Sequence, residues 1–291
     1  MIFKGCGVAI TTPFTPADGI CFDAMAKHIE YLINNKTDAI IACGTTGESA
    51  TLSFEEKINI CRFVVERVSG RIPVIAGSGS NCTQSTITLT KAMEQTGVDG
   101  FMIVTPYYNK VTQPGLVEHF SQIAKHTSLP IILYNVPSRT TVNMLPATVA
   151  ELAKVKNIVG VKEACGDISQ IAELFTLLPK DFAVYSGNDD QVFPIVAFGG
   201  AGSISVTGNI VPDKIHNIVY EYEKNKEKSL ATQLELLDLI KAMFIEINPI
   251  PIKYALWKME LSTASLRGPL TNLTQKNILI VDEVLKKYGL I

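Results

Sequence analysis

Eight short apolar runs rich in β-branched residues recur along the chain, and each is followed by a stretch long enough for an amphipathic helix. Near-continuous hydrophobicity without alternation is typical of strands that are buried on both faces. The runs cover residues 7–12, 39–44, 73–77, 100–105, 131–135, 158–163, 182–187 and 202–207. Strands that alternate with helices predict βα units, and eight such units close into a barrel. The sequence therefore predicts an α/β fold, a (β/α)8 TIM barrel.

An open, doubly wound sheet is the competing architecture because it also alternates strands with helices. The eighth unit and the lack of a G-x-G-x-x-G turn argue against it. The stretch Gly5-Cys6-Gly7 is too short a match to that motif, and we interpret it as a loop before the first strand.

Helical patterns fill the intervals between the runs and continue beyond the last one. Residues 54–68 have apolar positions at helical spacing, and Ser53 with Glu56 three residues later has the form of a capping box. After about residue 212 no further strand is predicted, and residues 214–225, 229–247, 252–261 and 275–288 are predicted to be helices. We therefore expect two units, a barrel over residues 1–225 and a C-terminal helical domain over residues 226–291.

The charge balance and the N-terminus limit the classes of function. Lysine and arginine number 26 against 28 acidic residues, with no basic block of the kind that nucleic acids or anionic membranes attract. The apolar runs are far shorter than a membrane helix, and the N-terminus lacks a signal-peptide pattern. The six cysteines form no C-x-x-C pair, so reduced thiols are expected. These features predict a cytoplasmic protein that acts on small molecules.

Metal-dependent chemistry has little support in the sequence. The four histidines are scattered and form no H-x-H or H-E-x-x-H pair. We therefore expect a site without a metal or an organic cofactor.

Lys162 is the first candidate for chemistry, because active sites of such barrels lie at the C-terminal ends of the strands. Strand alternation places its side chain on the same face as Ile158 and Gly160, with Val159 and Val161 on the other. If that face lines the barrel interior, loss of solvent disfavours the ammonium form, and a neutral amine can attack a ketone to form an imine. The alternative is a surface lysine whose amine reaches solvent at a strand end.

Three further features lie at strand ends. Tyr134 ends the preceding run and is expected beside Lys162, where a hydroxyl relay through Thr46 is favoured over a free phenolate; a buried core tyrosine is the alternative. The Gly-Thr-Thr-Gly-Glu-Ser loop over residues 44–49 can turn its N–H groups toward a carboxylate, or form an ordinary tight turn. Arg139 can bind a second carboxylate at the barrel mouth, or equally lie in solvent.

These positions together resemble the dihydrodipicolinate synthase and N-acetylneuraminate lyase family, over essentially the whole chain. The matching stretches are GTTGESATL at 44–52, VTPYYN at 104–109, LYNVPSRT at 133–140, GVKEA at 160–164 and NPIPIK at 248–253. The combination of these motifs is highly specific for the family.

The resemblance implies a set of catalytic roles. Lys162 would form an imine with pyruvate. Tyr134, Thr46 and Tyr108 would form a proton relay, with Tyr108 inserted into the site of a neighbouring subunit. The family's synthases condense pyruvate with L-aspartate 4-semialdehyde to 4-hydroxy-tetrahydrodipicolinate and water, in the diaminopimelate route to lysine. Members are usually homotetramers, built as dimers of dimers.

The resemblance also implies the binding groups. Thr45 and Thr46 would bind the carboxylate of pyruvate, Arg139 that of aspartate semialdehyde, and Gly187 and Ile204 would line the site through their backbones. Sialic-acid lyases of the family typically lack the arginine, so Arg139 favours the synthase. Another pyruvate aldolase of the family and a non-catalytic ligand-binding barrel are the alternatives.

A second pocket follows from the resemblance, since some members bind the end product lysine at a dimer interface. An anionic side chain is missing at position 85 and a like charge, Lys57, is present, so we expect weak inhibition by lysine or none. The matching positions are Ser49, Ala50, Phe54, Lys57, Asn81, Ser85 and Tyr107.

Overall fold

Eight parallel strands close into a barrel in chain order, with β8 paired to β1. The computed structural model describes all 291 residues. The strands are β1 (Gly5–Ala9), β2 (Ala39–Ala42), β3 (Val74–Gly77), β4 (Gly100–Val104), β5 (Ile131–Asn135), β6 (Ile158–Glu163), β7 (Ala183–Ser186) and β8 (Gly202–Ser205). The predicted (β/α)8 barrel is confirmed.

Thirteen helices accompany the strands, and none combines the length and apolar character needed to cross a lipid bilayer. They are α1 (Phe22–Asn34), α2 (Phe54–Val68), α3 (Thr83–Glu94), α4 (Gln113–Ala124), α5 (Pro137–Thr140), α6 (Pro146–Leu152), α7 (Ile168–Leu177), α8 (Val192–Ala197), α9 (Pro212–Tyr222), α10 (Lys226–Glu235), α11 (Leu237–Met243), α12 (Ile250–Lys258) and α13 (Gln275–Lys287). Short 3-10 turns cover Ser49–Thr51, Asp189–Gln191 and Thr207–Asn209.

Two helix predictions have different outcomes. Helix α2 spans the predicted residues, and its capping box forms: the Glu56 N–H donates to Ser53 Oγ and the Ser53 N–H donates to the Glu56 carboxylate. The single helix expected over 229–247 is instead two helices, α10 and α11, with Leu236 between them. Leu236 is an apolar, fully buried residue of high helix propensity, so the sequence carries no signal for this break.

The interpretation of Gly5–Gly7 as a loop was wrong, because these residues begin β1. Gly5 pairs with Gly202 across the seam where the barrel closes, and both have positive φ angles of 108° and 146°. A Cβ on Gly202 would lie 2.0 Å from the carbonyl oxygen of Gly5. The glycines therefore serve close approach of two strands rather than a turn.

The hydrophobic core has two layers. The larger one packs the outer faces of the strands against the helices, and the smaller one fills the barrel with side chains such as Ile41, Ile75, Met102, Ile132 and Tyr185. Layered side chains in the interior make the barrel a packed core, so a ligand site must lie at its rim.

One face assignment on β6 needs correction. Ile158 does not share a face with Lys162 but packs in the outer layer with Val161. The register shifts by one residue between the pairs Ile131–Ile158 and Ile132–Gly160, which leaves Val159 without a partner on β5. This irregularity interrupts the alternation of side chains at the start of β6. Only the later part of the strand, from Gly160 to Lys162, therefore has the predicted alternation between the two faces.

Candidate active site

Lys162 and Tyr134 are register partners on β6 and β5, as expected. Both are buried, at 4% and 6% exposure, and Lys162 Nζ lies 4.4 Å from the centroid of the Tyr134 ring. Lys162 forms no ion pair. The Lys162 amine therefore lies at the end of the barrel interior, beside an aromatic hydroxyl group and without a contacting carboxylate, which is a position suited to a nucleophile.

Gly187 leaves space for this lysine. A Cβ at that position would lie 3.2 Å from Lys162 Cε and 2.6 Å from the Cβ of Ala164. The Gly187 N–H donates to the Glu163 carbonyl, which extends the pairing of β6 and β7 to the rim. Ile204 lies on β8 with its side chain in the inner core.

Asp189 is a buried carboxyl group near Lys162 that the sequence analysis did not single out. Burial raises its pKa, while hydrogen bonds from Thr207 and Ser205 and the positive charge of Lys162 oppose the rise. Its Oδ2 accepts from the N–H groups of Thr207 and Val206 at 2.7 and 3.1 Å. It ties the end of β7 to the loop after β8. Its position three residues beyond the end of β7 is the feature of the sequence that could have identified it as a candidate.

Thr45 and Thr46 lie in the tight turn between β2 and α2. The N–H groups of Gly47 and Glu48 close that turn onto the carbonyls of Gly44 and Thr45, whereas those of Thr45 and Thr46 donate to no group in the chain. Two free N–H donors at the barrel rim are suited to a carboxylate.

Asn248, just before α12, joins two of the expected site residues. Its Nδ2 donates to Thr46 Oγ1 at 3.1 Å, and its carbonyl accepts from Arg139 Nη2 at 3.1 Å. Thr46 is thus bonded to Asn248 and not to Tyr134, so the relay expected from the sequence is not closed in this structure. In the sequence, this segment is recognisable only as a family motif.

A cavity of about 550 Å³ opens at this rim. Of the expected substrate-site residues, Thr45, Tyr134 and Arg139 line it, whereas Lys162, Thr46, Gly187 and Ile204 are not on its wall. Residues of the second pocket line the same cavity: Ser49, Ala50, Phe54, Lys57, Ser85 and Tyr107. Asn81 does not, and its carbonyl accepts from Asn109. The two expected pockets are therefore continuous within one chain.

Tyr108 does not line the cavity of its own chain. Its side chain is 88% exposed and its φ angle is +75°, in the left-handed region that tyrosine rarely adopts. The neighbouring Tyr107 is 39% exposed and does line the cavity.

A second buried lysine lies behind the Thr45–Thr46 turn. Lys253 on α12 is fully buried, and its Nζ contacts the Glu48 carboxylate at 2.5 Å and the Thr12 carbonyl at 2.8 Å. Burial lowers the pKa of Lys253, and Glu48 opposes that shift. Glu48 also accepts from the backbone N–H of Arg267. This ion pair fastens the C-terminal helices to the turn that carries Thr46.

No group of three or more histidine, cysteine, aspartate or glutamate side chains is arranged to hold a metal ion. His28 and His119 are buried, and loss of solvent lowers the pKa of each to about 4.

A closed parallel barrel with a buried lysine and tyrosine at its C-terminal rim defines a (β/α)8-barrel enzyme. The sequence model of the dihydrodipicolinate synthetase family matches residues 2–288. The chain belongs to this family.

Individual relatives agree over the full length. The 4-hydroxy-tetrahydrodipicolinate synthase of Thermoanaerobacter sp. strain X514 is 52% identical, over 100% of this chain and 98% of the relative. The dihydrodipicolinate synthase structure from Thermotoga maritima superimposes with a TM-score of 0.98 at 42% identity and full coverage of both chains. A structure described as the first monomeric dihydrodipicolinate synthase variant also has a TM-score of 0.98, at 42% identity, covering 100% of this chain and 98% of the variant. The chain is thus a lyase of the class that these relatives represent.

Proposed function

We propose that the chain condenses pyruvate with L-aspartate 4-semialdehyde through an imine on Lys162, as a 4-hydroxy-tetrahydrodipicolinate synthase. The observation that carries the proposal is the buried Lys162 beside Tyr134, with no carboxylate in contact. The identity of its relatives supports the same activity.

The chemistry needs no cofactor, because the imine itself is the electron sink. The Lys162 amine adds to the C2 carbonyl of pyruvate and water leaves. The protonated imine acidifies the methyl group, which loses a proton to give an enamine, and the enamine carbon attacks the aldehyde of the second substrate. The amino group of that substrate then displaces Lys162 from C2 and closes the ring.

Thr45 and Thr46 are proposed to hold the carboxylate of pyruvate with the N–H groups that are free in the turn. Arg139 is proposed to bind the carboxylate of the semialdehyde, which bidentate guanidinium geometry suits. Its hydrogen bond to the Asn248 carbonyl leaves other donors of the guanidinium available. Gly187 and Ile204 complete the site through their backbones.

Tyr108 is proposed to act in the site of a neighbouring subunit, within a homotetramer that is a dimer of dimers. Its exposure and its absence from the cavity of its own chain support this role. Monomers made by substitutions away from the rim should retain the fold but lose activity, as sedimentation and rate measurements would detect. A folded monomer with full activity would contradict the role of Tyr108.

We further propose that residues 226–291 act as a separate helical unit that supports the barrel rim, and that the enzyme works in the cytosol. The Lys253–Glu48 ion pair supports the first point, and six unpaired cysteines are compatible with the second.

Borohydride reduction in the presence of pyruvate tests the proposed function. Peptide mapping should find one pyruvyl adduct, on Lys162. The Lys57→Met variant is the control, because Lys57 is the half-buried lysine of the cavity wall and should not affect trapping. An adduct at another lysine, or none, would contradict the proposal.

A further inference from the structure

Asn248 contacts both halves of the candidate site through different atoms. It is 6% exposed, and its side-chain amide reaches Thr46 while its carbonyl reaches Arg139. The segment that carries it is held firmly, because Lys253, five residues later, is paired with Glu48, two residues after Thr46. The amide is therefore fixed against the Thr46 hydroxyl from both sides.

The direction of the Asn248–Thr46 hydrogen bond determines where the hydroxyl proton points. An amide N–H can only donate, and a hydroxyl has one proton and two acceptor lone pairs. Because Asn248 Nδ2 donates to Thr46 Oγ1, that bond leaves the hydroxyl proton for another acceptor. Asn248 Oδ1 is buried and has no partner, so it does not take the proton.

We propose that Asn248 is a positioning residue that orients the Thr46 hydroxyl as a proton donor in the relay to Tyr134. This inference rests on the proposed function. When the Lys162 amine has added to pyruvate, the hydroxyl on C2 must leave as water and needs a proton. Tyr134, whose ring centroid lies 4.4 Å from Lys162 Nζ, gives that proton. It regains one from Thr46 when the two hydroxyls come within hydrogen-bond distance, and solvent reprotonates Thr46.

The Asn248→Asp variant reverses this arrangement with little change in shape. A carboxylate only accepts, so the Thr46 hydroxyl turns its proton toward residue 248 and away from Tyr134. We expect kcat at saturating substrates to fall about 100-fold near neutral pH, as loss of a general acid does. Kcat should recover as the pH is lowered, because a protonated aspartic acid can again donate to Thr46. Repulsion of the substrate carboxylates by the new charge would appear in KM instead.

Two further variants distinguish a role of Asn248 in orienting the Thr46 hydroxyl from a role in supporting the local structure. Asn248→Leu removes the bond without reversing it, and should lower kcat only about 10-fold with the unchanged chain's pH profile. In a Thr46→Val background, Asn248→Asp should change kcat less than about threefold, since the residue acts through that hydroxyl. The titratable groups around the amide are Arg139, Tyr134 and the Lys253–Glu48 pair, and they are common to all variants.

The rate of adduct formation with pyruvate alone, followed by borohydride quenching and mass spectrometry, provides the readout. Slow trapping on Lys162 in Asn248→Asp, faster at low pH, is the expected result. Equal losses in the Asp and Leu variants with unchanged pH profiles would overturn the orienting role and leave the proposed function intact. Failure to trap Lys162 in the unchanged chain would overturn the proposed function itself.

Discussion

This enzyme has two buried lysines, Lys162 in the barrel and Lys253 on α12, and they differ in whether an ion-pair partner is present. We assign a catalytic role to the first and a structural role to the second. Each lies over an aromatic ring, with Nζ at 4.4 Å from the Tyr134 centroid and 4.3 Å from that of Phe14. Lys253 also has a carboxylate and a carbonyl oxygen as partners, whereas Lys162 has no ion pair. Burial alone therefore does not distinguish the two lysines, whereas the presence of an ion-pair partner does.

The sharpest test exchanges each lysine for methionine, which keeps the volume and removes the charge. Lys162→Met should lower kcat by about 10⁴-fold or more, since no imine can form. Its stability to urea should not fall, because the removed amine had no ion-pair partner. A Lys162→Met enzyme with more than residual activity would break the comparison.

Lys253→Met should instead cost stability. The Glu48 carboxylate would remain buried and unpaired, which costs about 3–5 kcal/mol of unfolding free energy. Urea titration measures this, and the double variant Lys253→Met/Glu48→Gln should regain most of the loss. If the single variant were as stable as the unchanged chain, the ion pair would not have the structural role given to it.

Arg139 extends the comparison to an exposed cation at the same rim. Arg139→Ala should lower kcat/KM for aspartate semialdehyde roughly 30- to 5,000-fold, which corresponds to a loss of about 2–5 kcal/mol of transition-state binding. The KM for pyruvate should change less than about twofold, since Thr45 and Thr46 are the groups proposed to hold that carboxylate. Arg139→Lys is the matched control, which keeps the charge and loses the bidentate geometry. Equal losses for both substrates would contradict the assignment.

His28 provides a buried base with no compensating carboxylate. Its Nε2 is 3.0 Å from the Asn209 carbonyl, and burial lowers its pKa from 6.5 to about 4. Because the folded-state value lies below the unfolded one, its contribution is complete above pH 6.5 and is lost as the pH falls to about 4. The loss is about 3 kcal/mol. Between pH 6.5 and about 4, the unfolding free energy of the His28→Gln variant should fall less than that of the unchanged chain. The control variant His126→Gln, at an exposed position, should behave like the unchanged chain.

The smallest expected effect is the inhibition by lysine at the pocket that contains Lys57. This residue lines the cavity half-buried with no ion pair, and Ser85 on the same wall carries no charge. We expect lysine to inhibit weakly or not at all, since a missing charge-assisted bond weakens binding roughly 10- to 100-fold. Initial rates across a lysine titration measure this, and Ser85→Glu should increase inhibition. Half-inhibition of the unchanged chain below millimolar lysine would contradict the interpretation of Lys57 and Ser85.

The sequence was sufficient for most of the fold because buried parallel strands have a strong compositional signature. The misplacement of β1 has a physical cause: Gly5 and Gly7 resemble a loop locally, and their close approach to neighbours becomes apparent only when the barrel closes. The face of Ile158 was missed because a register shift between two strands leaves no mark in either strand alone.

The placement of Lys162 beside Tyr134 was predictable, because both residues lie near the ends of adjacent strands. Asn248 and the Lys253–Glu48 pair were not, since they bring together residues about 200 positions apart. Helical periodicity in α12 predicts a buried face but does not say that a lysine on it will meet a carboxylate. Such pairings depend on tertiary packing, which sequence patterns do not encode locally.

The seam between β1 and β8 has a consequence for synthesis on the ribosome. β1 is complete at Ala9, but one of its edges finds its partner only when Gly202–Ser205 has emerged. At typical elongation rates of 5–20 residues per second this takes roughly 10 to 40 seconds. Throughout that time the nascent chain presents an open strand edge that can pair with other chains. Slowing the ribosome upstream of codon 202 should therefore increase the demand for chaperones in producing this enzyme.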